Sequence, residues 1–465
     1  MSQNIKTEGP TRLFVRRIFE TKFEDLPAKV VDQAKNCVLD FLGVAMGGLS
    51  TEVGQVVRQY AKLFVTSDEA TVLATGRKAN SLDAAFANGV VAHVLELDDG
   101  NRFAMGHPGV VTIPAALAMA EKMHANGSQL ILSIVCGYET FGKLGRAINP
   151  SHFSRGFHTT GTLGTMAATV AASKILSLNE DQMLSAFGIA GSLAAGISEF
   201  LSDGSMTKQI NAGRAALNGV FAAELALRGF TGPATVLEGE HGFFKALSDK
   251  TNPEEVTRSL GSNYEITNTY FKRHASCRHS HPAVDATLEI LAREKFDPRT
   301  IDGLTVKTYS AAYDYTNRKN VSTPLSAKMS MPYCIAITML HGKAGPDEFT
   351  EKAIKNEEVR GVKMSVDDEL DKLVPEKRGA IVTINVGGKE FSSRVDLPKG
   401  EPENPLTRAE FEGKFATLAS TSLSEKDIRA TLTNIRELEH MSDVRKVTGL
   451  LSSQLNAAMI TGRPT

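Results

Sequence analysis

The stretch "TGTLGTMAATVAASKIL", Thr160–Leu176, is apolar, charge-free until Lys174, and built almost wholly from alanine, glycine, threonine and serine. Faces made of such small side chains let helices approach closely. "MLSAFGIAGSLAAGI", Met183–Ile197, and "AGRAALNGVFAAELALRGF", Ala212–Phe230, repeat the style. Together they predict a bundle of tightly packed, mostly buried helices rather than a sheet with helical covers. Working back from there, Val30, Ala34, Cys37/Val38 and Phe41/Leu42 recur on one helix face, with Asp25 and Pro27 as start signals and Gly47-Gly48 as a stop. Asn179 and Gln182 form a capping box ahead of the second stretch. The pattern is helical from Leu26 to about residue 230.

The texture changes after about residue 268. "IDGLTVKTYSA", 301–311, reads as a strand, and "AIVTINVGGKEFSSRVDL", 380–397, alternates on both sides of Gly387-Gly388, a dipeptide suited to a type I′ hairpin. Between them, "SMPYCIAITMLHG" reads as a helix and "VRGVKMSVDDELDKLV" as a polar irregular or helical stretch. "LPKGEPENPL" is a turn-rich connection, after which Thr407 and Glu410 cap another helix. The fold class expected is mainly α: a large helical domain, 1–268 plus 405–465, interrupted by a smaller α+β unit, 269–404. At 465 residues the chain exceeds the size at which one core stops growing, which also favours two domains.

Lys+Arg 52 against Asp+Glu 53 leaves a formal charge of −1, so no global field favours nucleic acid or an anionic membrane surface. Cys37, Cys136, Cys277 and Cys334 are far apart and read as reduced thiols of a cytoplasmic protein, not a disulfide framework. The amino terminus shows no secretory pattern, and no segment reads as a membrane span.

Four places carry chemistry. In "AAFANGVVAHVLELDDG", His93, Glu96 and Asp99 share a face if the helix persists, and Asp98 then points elsewhere. His107 follows in a Gly-His-Pro-Gly turn whose small neighbours admit a ligand. Lys208 sits at the start of a buried-looking helix, whose positive end suits an anion. "FKRHASCRHSHPAVDA" gathers Lys272, Arg273, His274, Cys277, Arg278, His279 and His281. Cys277, His279 and His281 could alternate as metal ligands, but no second Cys/His pair completes a structural zinc set, so a cationic patch with one general base is preferred.

At these residues the chain resembles the MmgE/PrpD family, which includes 2-methylcitrate dehydratase, cis-aconitate decarboxylase and iminodisuccinate epimerase. The likeness runs through "LPAKVVDQAKNCVLDFLGVAMGG", the "DD…HPG…PAALAMAE" segment, "GFHTTGTLG", "TKQINAGRAALNG", "CRHSHPAVDA", "AKMSMPY" and "KGEPENPLTRAEFEGKF". The resemblance implies an all-helical domain with an inserted α+β lid, a homodimer, and cofactor-free chemistry, without metal, on a small di- or tricarboxylate. It carries catalytic roles to Glu96, His107, Lys208 and His281 and to a lid tyrosine, Tyr313, with Tyr309 and Tyr315 as alternatives; Asp99, from the acid cluster itself, is a further catalytic candidate. Asp98, Arg102, His158, Thr160, Lys272 and Arg278 are expected to bind substrate. Two departures stand out: Gly100 replaces a threonine after the acid pair, and Lys208-Gln209-Ile210-Asn211 replaces a Lys-Arg-x-His pattern.

The chemistry so implied is proton removal beside a carboxylate, with a base and an acid on hand and fixed positive charge where the carboxylate becomes enolate-like. Lys208 and His281 are the candidate base and anion stabiliser, His107 and Tyr313 the donors or orienters. Glu96 and Asp99 would set the protonation of His107. The two departures tilt the expectation to an iminodisuccinate-type epimerase over a 2-methylcitrate-type hydro-lyase or a cis-aconitate-type decarboxylase. A non-catalytic carboxylate-binding homologue is the reading from another class.

Overall fold

The computed structural model describes residues 8–356 and 361–452. Expectations that touch 1–7, 357–360 and 453–465, including the outer ends of the segments 1–268 and 405–465, lie outside the described residues. The helical body contains α1 (Ala28–Gly48), α2 (Ser81–Ala92), α3 (Gly109–Lys122), α4 (Gly127–Ile148), α5 (Thr159–Ile175), α6 (Glu180–Leu193) and α7 (Thr207–Leu227). The opening stretch is α5, and it lies at the centre, packed on α3, α4, α6 and α7. Every residue of α5 except Lys174 is buried. Small side chains make this possible: a Cβ at Gly219 of α7 would collide with Ala168 and the Thr169 backbone of α5. Three of the buried hydroxyls are satisfied within the helix, Thr165 on Gly161 O at 2.9 Å, Thr169 on Thr165 O at 2.8 Å and Ser173 on Thr169 O at 2.7 Å. The Asn179–Gln182 box caps α6.

The chain then passes into α8 (His281–Arg293), β1 (Ile301–Thr308), α9 (Met331–His341), β2 (Val362–Val366), β3 (Ala380–Val386) and β4 (Lys389–Val395). The sheet order is β2-β1-β3-β4, with β1/β2 parallel and the other pairs antiparallel. Gly387 and Gly388 have φ of 56° and 77°, and Val386 faces Lys389 across them, as the hairpin turn requires. "VKMSV" is a strand, where the sequence suggested an irregular or helical stretch. It lies at the sheet edge, and its alternation of Val362, Met364 and Val366 with Lys363 and Ser365 runs for only five residues, too short a period to decide the element. α8 covers β3 and β4.

After the sheet come α10 (Arg408–Ala419), capped by Thr407 with Glu410, and α11 (Glu425–Arg436). Their buried residues, Phe411, Phe415, Leu418, Ile428 and Ile435, join the same apolar core as α1 to α7. A second core is built from Ala283 through Val395. α9 belongs to both. Met331, Ile335 and Met339 enter the second core, while Tyr333, Cys334 and Ile337 enter the first. A helix apolar all round is one buried on every side. The segment between the two cores starts and ends at one point: Phe271 N donates to Gly400 O at 2.8 Å. All four cysteines are buried and unpaired, and no single helix among the described residues is long and apolar enough to cross a membrane.

Candidate active site

Where the second core meets the helical body lies a cavity of about 520 Å³, lined by groups from both. Its floor is the acid segment after α2. That helix stops at Ala92, and Glu96 takes a left-handed backbone with φ of 53°. The expected common face of His93, Glu96 and Asp99 therefore does not form. The turn sends Glu96 into the cavity, Asp98 towards the histidines and Asp99 into the core.

Glu96 is buried between two ammonium groups. Its Oε1 pairs closely with Lys208 Nζ, and Oε2 lies 3.4 Å from Lys272 Nζ. Burial alone would raise the carboxyl, but Lys208 and Lys272 outweigh it and hold it well below the usual carboxylate range. Lys272, itself fully buried, is pushed up because Glu96 and Asp98 overcome its desolvation. Lys208 is the second residue of α7, so the helix's positive end opens on the cavity.

His107 sits ahead of α3 and lines the cavity. Its Nδ1 is 2.5 Å from Asp99 O and 3.3 Å from Asp98 Oδ2. Both are acceptors, so Nδ1 carries the proton and Nε2 keeps the lone pair, with no protein partner among the described residues. Burial drives its pKa down to about 3, with Lys272, His93 and Lys208 adding to the effect. Asp98 also accepts from His93 Nδ1 at 2.9 Å. It stays ionised despite burial because His93, His107 and Lys272 surround it. The opposite tautomer occurs at His158. Asn211 Nδ2 lies 3.4 Å from Ile197 O, which fixes it as the amide donor, and 3.0 Å from His158 Nδ1, which must then accept. The proton of His158 is therefore on Nε2.

The acid expected to serve His107, Asp99, does not do so through its side chain. Its Oδ1 accepts from Gly109 N at 3.0 Å and its Oδ2 lies 2.5 Å from Tyr138 Oη. Burial, with Asp40 adding to it, raises its pKa to about 8, so it is protonated at neutral pH. Gly109 serves this contact rather than a ligand, since a Cβ there would meet Asp99 Oδ1 at 2.7 Å.

Three other expected site residues are absent from the cavity lining: Asp98, which His93 and His107 take up, and His281 and Tyr313. His281 is fully buried, with Nδ1 2.9 Å from Arg278 Nη1 and Nε2 3.3 Å from Ser276 O. It begins α8 and turns under Arg278; His279 lines the cavity in its stead, hydrogen-bonded to Tyr309. Burial lowers His279 to about 3. Tyr313 lies on the side of the short helix Ser310–Thr316 away from the cavity, whereas Tyr309 and Tyr315 line it. Arg102, Thr160 and Arg278 also line it. His274 bonds Asp285 at 2.7 Å, so the histidines of the 274–281 run face separate partners, and no cluster of three His, Cys, Asp or Glu groups suited to a metal occurs among the described residues.

Residues that the sequence reading did not single out complete the site, two of them, Lys328 and Lys414, inside quoted motifs. Lys328, in "AKMSMPY", is buried and donates to Val94 O at 3.0 Å; desolvation, with Lys208 and Lys272 nearby, lowers it to about 8. Lys414 of α10 clamps the floor from below, with Nζ on Asp40 Oδ1 at 2.5 Å, Leu97 O at 2.7 Å and Lys272 O at 2.9 Å. Tyr270 lies where the Gly100 side chain would be: a Cβ at Gly100 would strike its hydroxyl. Gly100 thus leaves room for the Tyr270 hydroxyl, which comes from another strand and lines the cavity.

Residues 13–256 match the MmgE/PrpD N-terminal domain and residues 274–439 the MmgE/PrpD C-terminal domain. The cis-aconitate decarboxylase-like protein oryM of Aspergillus oryzae is 28% identical over 466 residues, which covers 94% of this chain and 96% of that protein. Cis-aconitate decarboxylase of Homo sapiens is 28% identical over 95% of this chain and 94% of its own, and that of Aspergillus terreus 25% over 94% of each. With both domains matched in order around a cavity built from their shared motifs, the chain belongs to the MmgE/PrpD family.

Proposed function

We propose that the protein is an enzyme that transfers a proton, without a cofactor, at a carbon beside a carboxylate of a small di- or tricarboxylate, and that its overall reaction is a lyase reaction of the cis-aconitate decarboxylase type. The observation that carries the proton-transfer reading is the pairing of a neutral imidazole, His107 with its Nε2 lone pair free, and an ammonium, Lys208. Base and acid are held in one cavity in the states each task needs. Lys208 and Lys272 supply fixed positive charge for the enolate-like carboxylate. In decarboxylation, the bond to the departing carboxylate breaks, carbon dioxide leaves without the bonding pair, and the remaining carboxylate system takes the charge. The Lys208 ammonium then protonates the carbon and is recharged from solvent.

The end-to-end alignment with proteins named cis-aconitate decarboxylase supports loss of carbon dioxide. So does Tyr270, because its hydroxyl removes one of the two reasons for preferring an epimerase. The second reading, an iminodisuccinate-type epimerase, is favoured by Gln209 and Asn211, which put no second cation beside Lys208. In that reaction His107 removes the proton and Lys208 returns one to the other face.

Incubation with cis-aconitate and with iminodisuccinate in deuterated water separates the two. Gas release with one deuterium fixed per turnover is the expected result. Deuterium uptake without gas or a new alkene establishes the epimerase instead, and new alkene from a hydroxy acid a hydro-lyase. Lys208→Gln, which removes the proton donor, is expected to lower decarboxylation by roughly 10²–10⁴-fold, whereas a loss of that size in His107→Gln is expected where His107 is the base of the epimerase. Wild-type binding of these acids without turnover or exchange leaves a carboxylate-binding homologue.

A further inference from the structure

Three guanidinium groups line one wall of the cavity: Arg102 from the helical body, Arg278 just before α8, and Arg378 just before β3. One carboxylate backs them all. Glu401 lies 2.8 Å from Arg278 Nη2, 3.3 Å from Arg102 Nη1 and 3.4 Å from Arg378 Nη2. It is 2% exposed and is not among the lining groups, so it sits behind the arginines. The Tyr270 ring lies 4.9 Å from the Arg278 guanidinium and 5.1 Å from that of Arg378. Glu403, at the rim, takes both terminal nitrogens of Arg102.

Three guanidiniums pair with only two carboxylates, Glu401 and Glu403, because Asp285, the next acid towards Arg278, is taken by His274 and Lys399 N. A purely structural ion cluster buried this deeply is expected to close to neutrality, since an unpaired buried charge is costly. This one does not close. Two of its donors, Nε of Arg102 and Nε of Arg378, are buried with no hydrogen-bond partner among the described residues. An orphaned buried donor costs about 1–3 kcal/mol, a cost that a ligand accepting from the cluster would offset.

We propose that Arg102, Arg278 and Arg378 form a second anionic subsite, which receives the non-reacting carboxylate of the substrate while Lys208 and Lys272 face the reacting one, and that Arg378 determines specificity there. The inference rests on the polycarboxylate reading above and deepens it. One surplus charge matches a carboxylate, a monoanion that accepts in a plane from forked donors, and not a doubly charged phosphate monoester. The substrate class follows: acids with two or more carboxylates, the second lying at the wall where both domains contribute.

Calorimetric titration of the full-length protein tests this with tricarballylate, glutarate, butyrate and inorganic phosphate. The wild type should bind tricarballylate and glutarate at least tenfold more tightly than butyrate, and R378Q should lose roughly tenfold or more for both, the size expected for a hydrogen bond to a charged group. Butyrate affinity should be unchanged in the variant. R378K, which keeps the charge but not the fork, should fall between the two, and it carries the test if R378Q does not fold. Glutarate binding equal in wild type, R378Q and R378K overturns the subsite and leaves the reaction reading intact. Phosphate binding tighter than glutarate overturns the assignment to carboxylate. Failure of the wild type to bind any of the three organic acids overturns the reaction reading and the subsite with it.

Discussion

Glu96, Asp98 and Asp99 occupy four positions of chain and meet three electrostatic fates. Glu96 neutralises two ammoniums, Asp98 is shared by two imidazoles, and Asp99 is protonated against Tyr138. Glu96→Gln would leave Lys208 and Lys272 buried without their carboxylate, so we expect a loss of about 3–5 kcal/mol in urea unfolding, together with a collapse of turnover. Asp99 makes the opposite prediction. Its folded pKa of about 8 lies above the ordinary aspartate value of 3.8, so the folded state holds a proton the unfolded state has lost, and stability falls as pH rises between those values. Asp99→Asn mimics the protonated form. It should match the wild type near pH 4 and exceed it at pH 8, flattening a slope of up to about 1.4 kcal/mol per pH unit, as read from melting at several pH values. For His107 the sign reverses. Its folded pKa of about 3 is depressed below 6.5, so stability is lost as pH falls through that window, while the imidazole itself stays neutral and competent. The sequence singled out Glu96, His107 and Lys208, because each stands in an unusual local setting. It could not assign Asp98 and Asp99, since that choice depends on one left-handed residue, Glu96, in a place where no glycine announces a turn.

Among the elements, α5 and α7 show how small side chains fix the site. Lys208 opens α7, and α7 can lie against α5 only because Gly219 has no side chain. Gly219→Ala should cost about 1–3 kcal/mol through overpacking and, by tilting α7, should lower turnover without removing any polar group. The short pairing of Gly100–Asn101 with Thr269–Tyr270 is a second case. Gly100→Ala should destabilise the protein, and Gly100→Ala with Tyr270→Ala should recover part of the loss; a coupling below about 0.5 kcal/mol in that double-mutant cycle would contradict the contact. Helices were legible in the sequence because alanine-rich periodicity and capping boxes at Asn179 and Thr407 act locally. β2 was not, because its alternation of apolar Val362, Met364 and Val366 spans only five residues, short enough to be taken for part of an irregular or helical stretch. His281 and Tyr313 failed for a related reason: near a helix start, a shift of one or two residues exchanges the cavity side for the core side, and only packing decides it.

At the level of the whole molecule, α9 ties the two cores together, with alternate faces in each. Neither core is complete without it, so calorimetry should show one cooperative transition with calorimetric and van't Hoff enthalpies in agreement; two resolved transitions would contradict this account. Lys414 adds a second tie, since a helix that follows the sheet in sequence holds the backbone of both Leu97 and Lys272. Changes of texture along the chain suggested a discontinuous arrangement, and α10 and α11 join the apolar core of α1 to α7. The convergence of Arg102, Arg278 and Arg378 on Glu401 could not be anticipated, because those residues are scattered over some three hundred positions. The single hydrogen bond from Phe271 to Gly400 has a bearing on ancestry and engineering. A segment whose two ends touch can be exchanged between related chains by splicing at two neighbouring points. Such a chimera would keep His107 and Lys208 from its host while importing Arg278 and Arg378 from its donor, so appetite for new acids can be acquired without rebuilding the machinery that moves the proton.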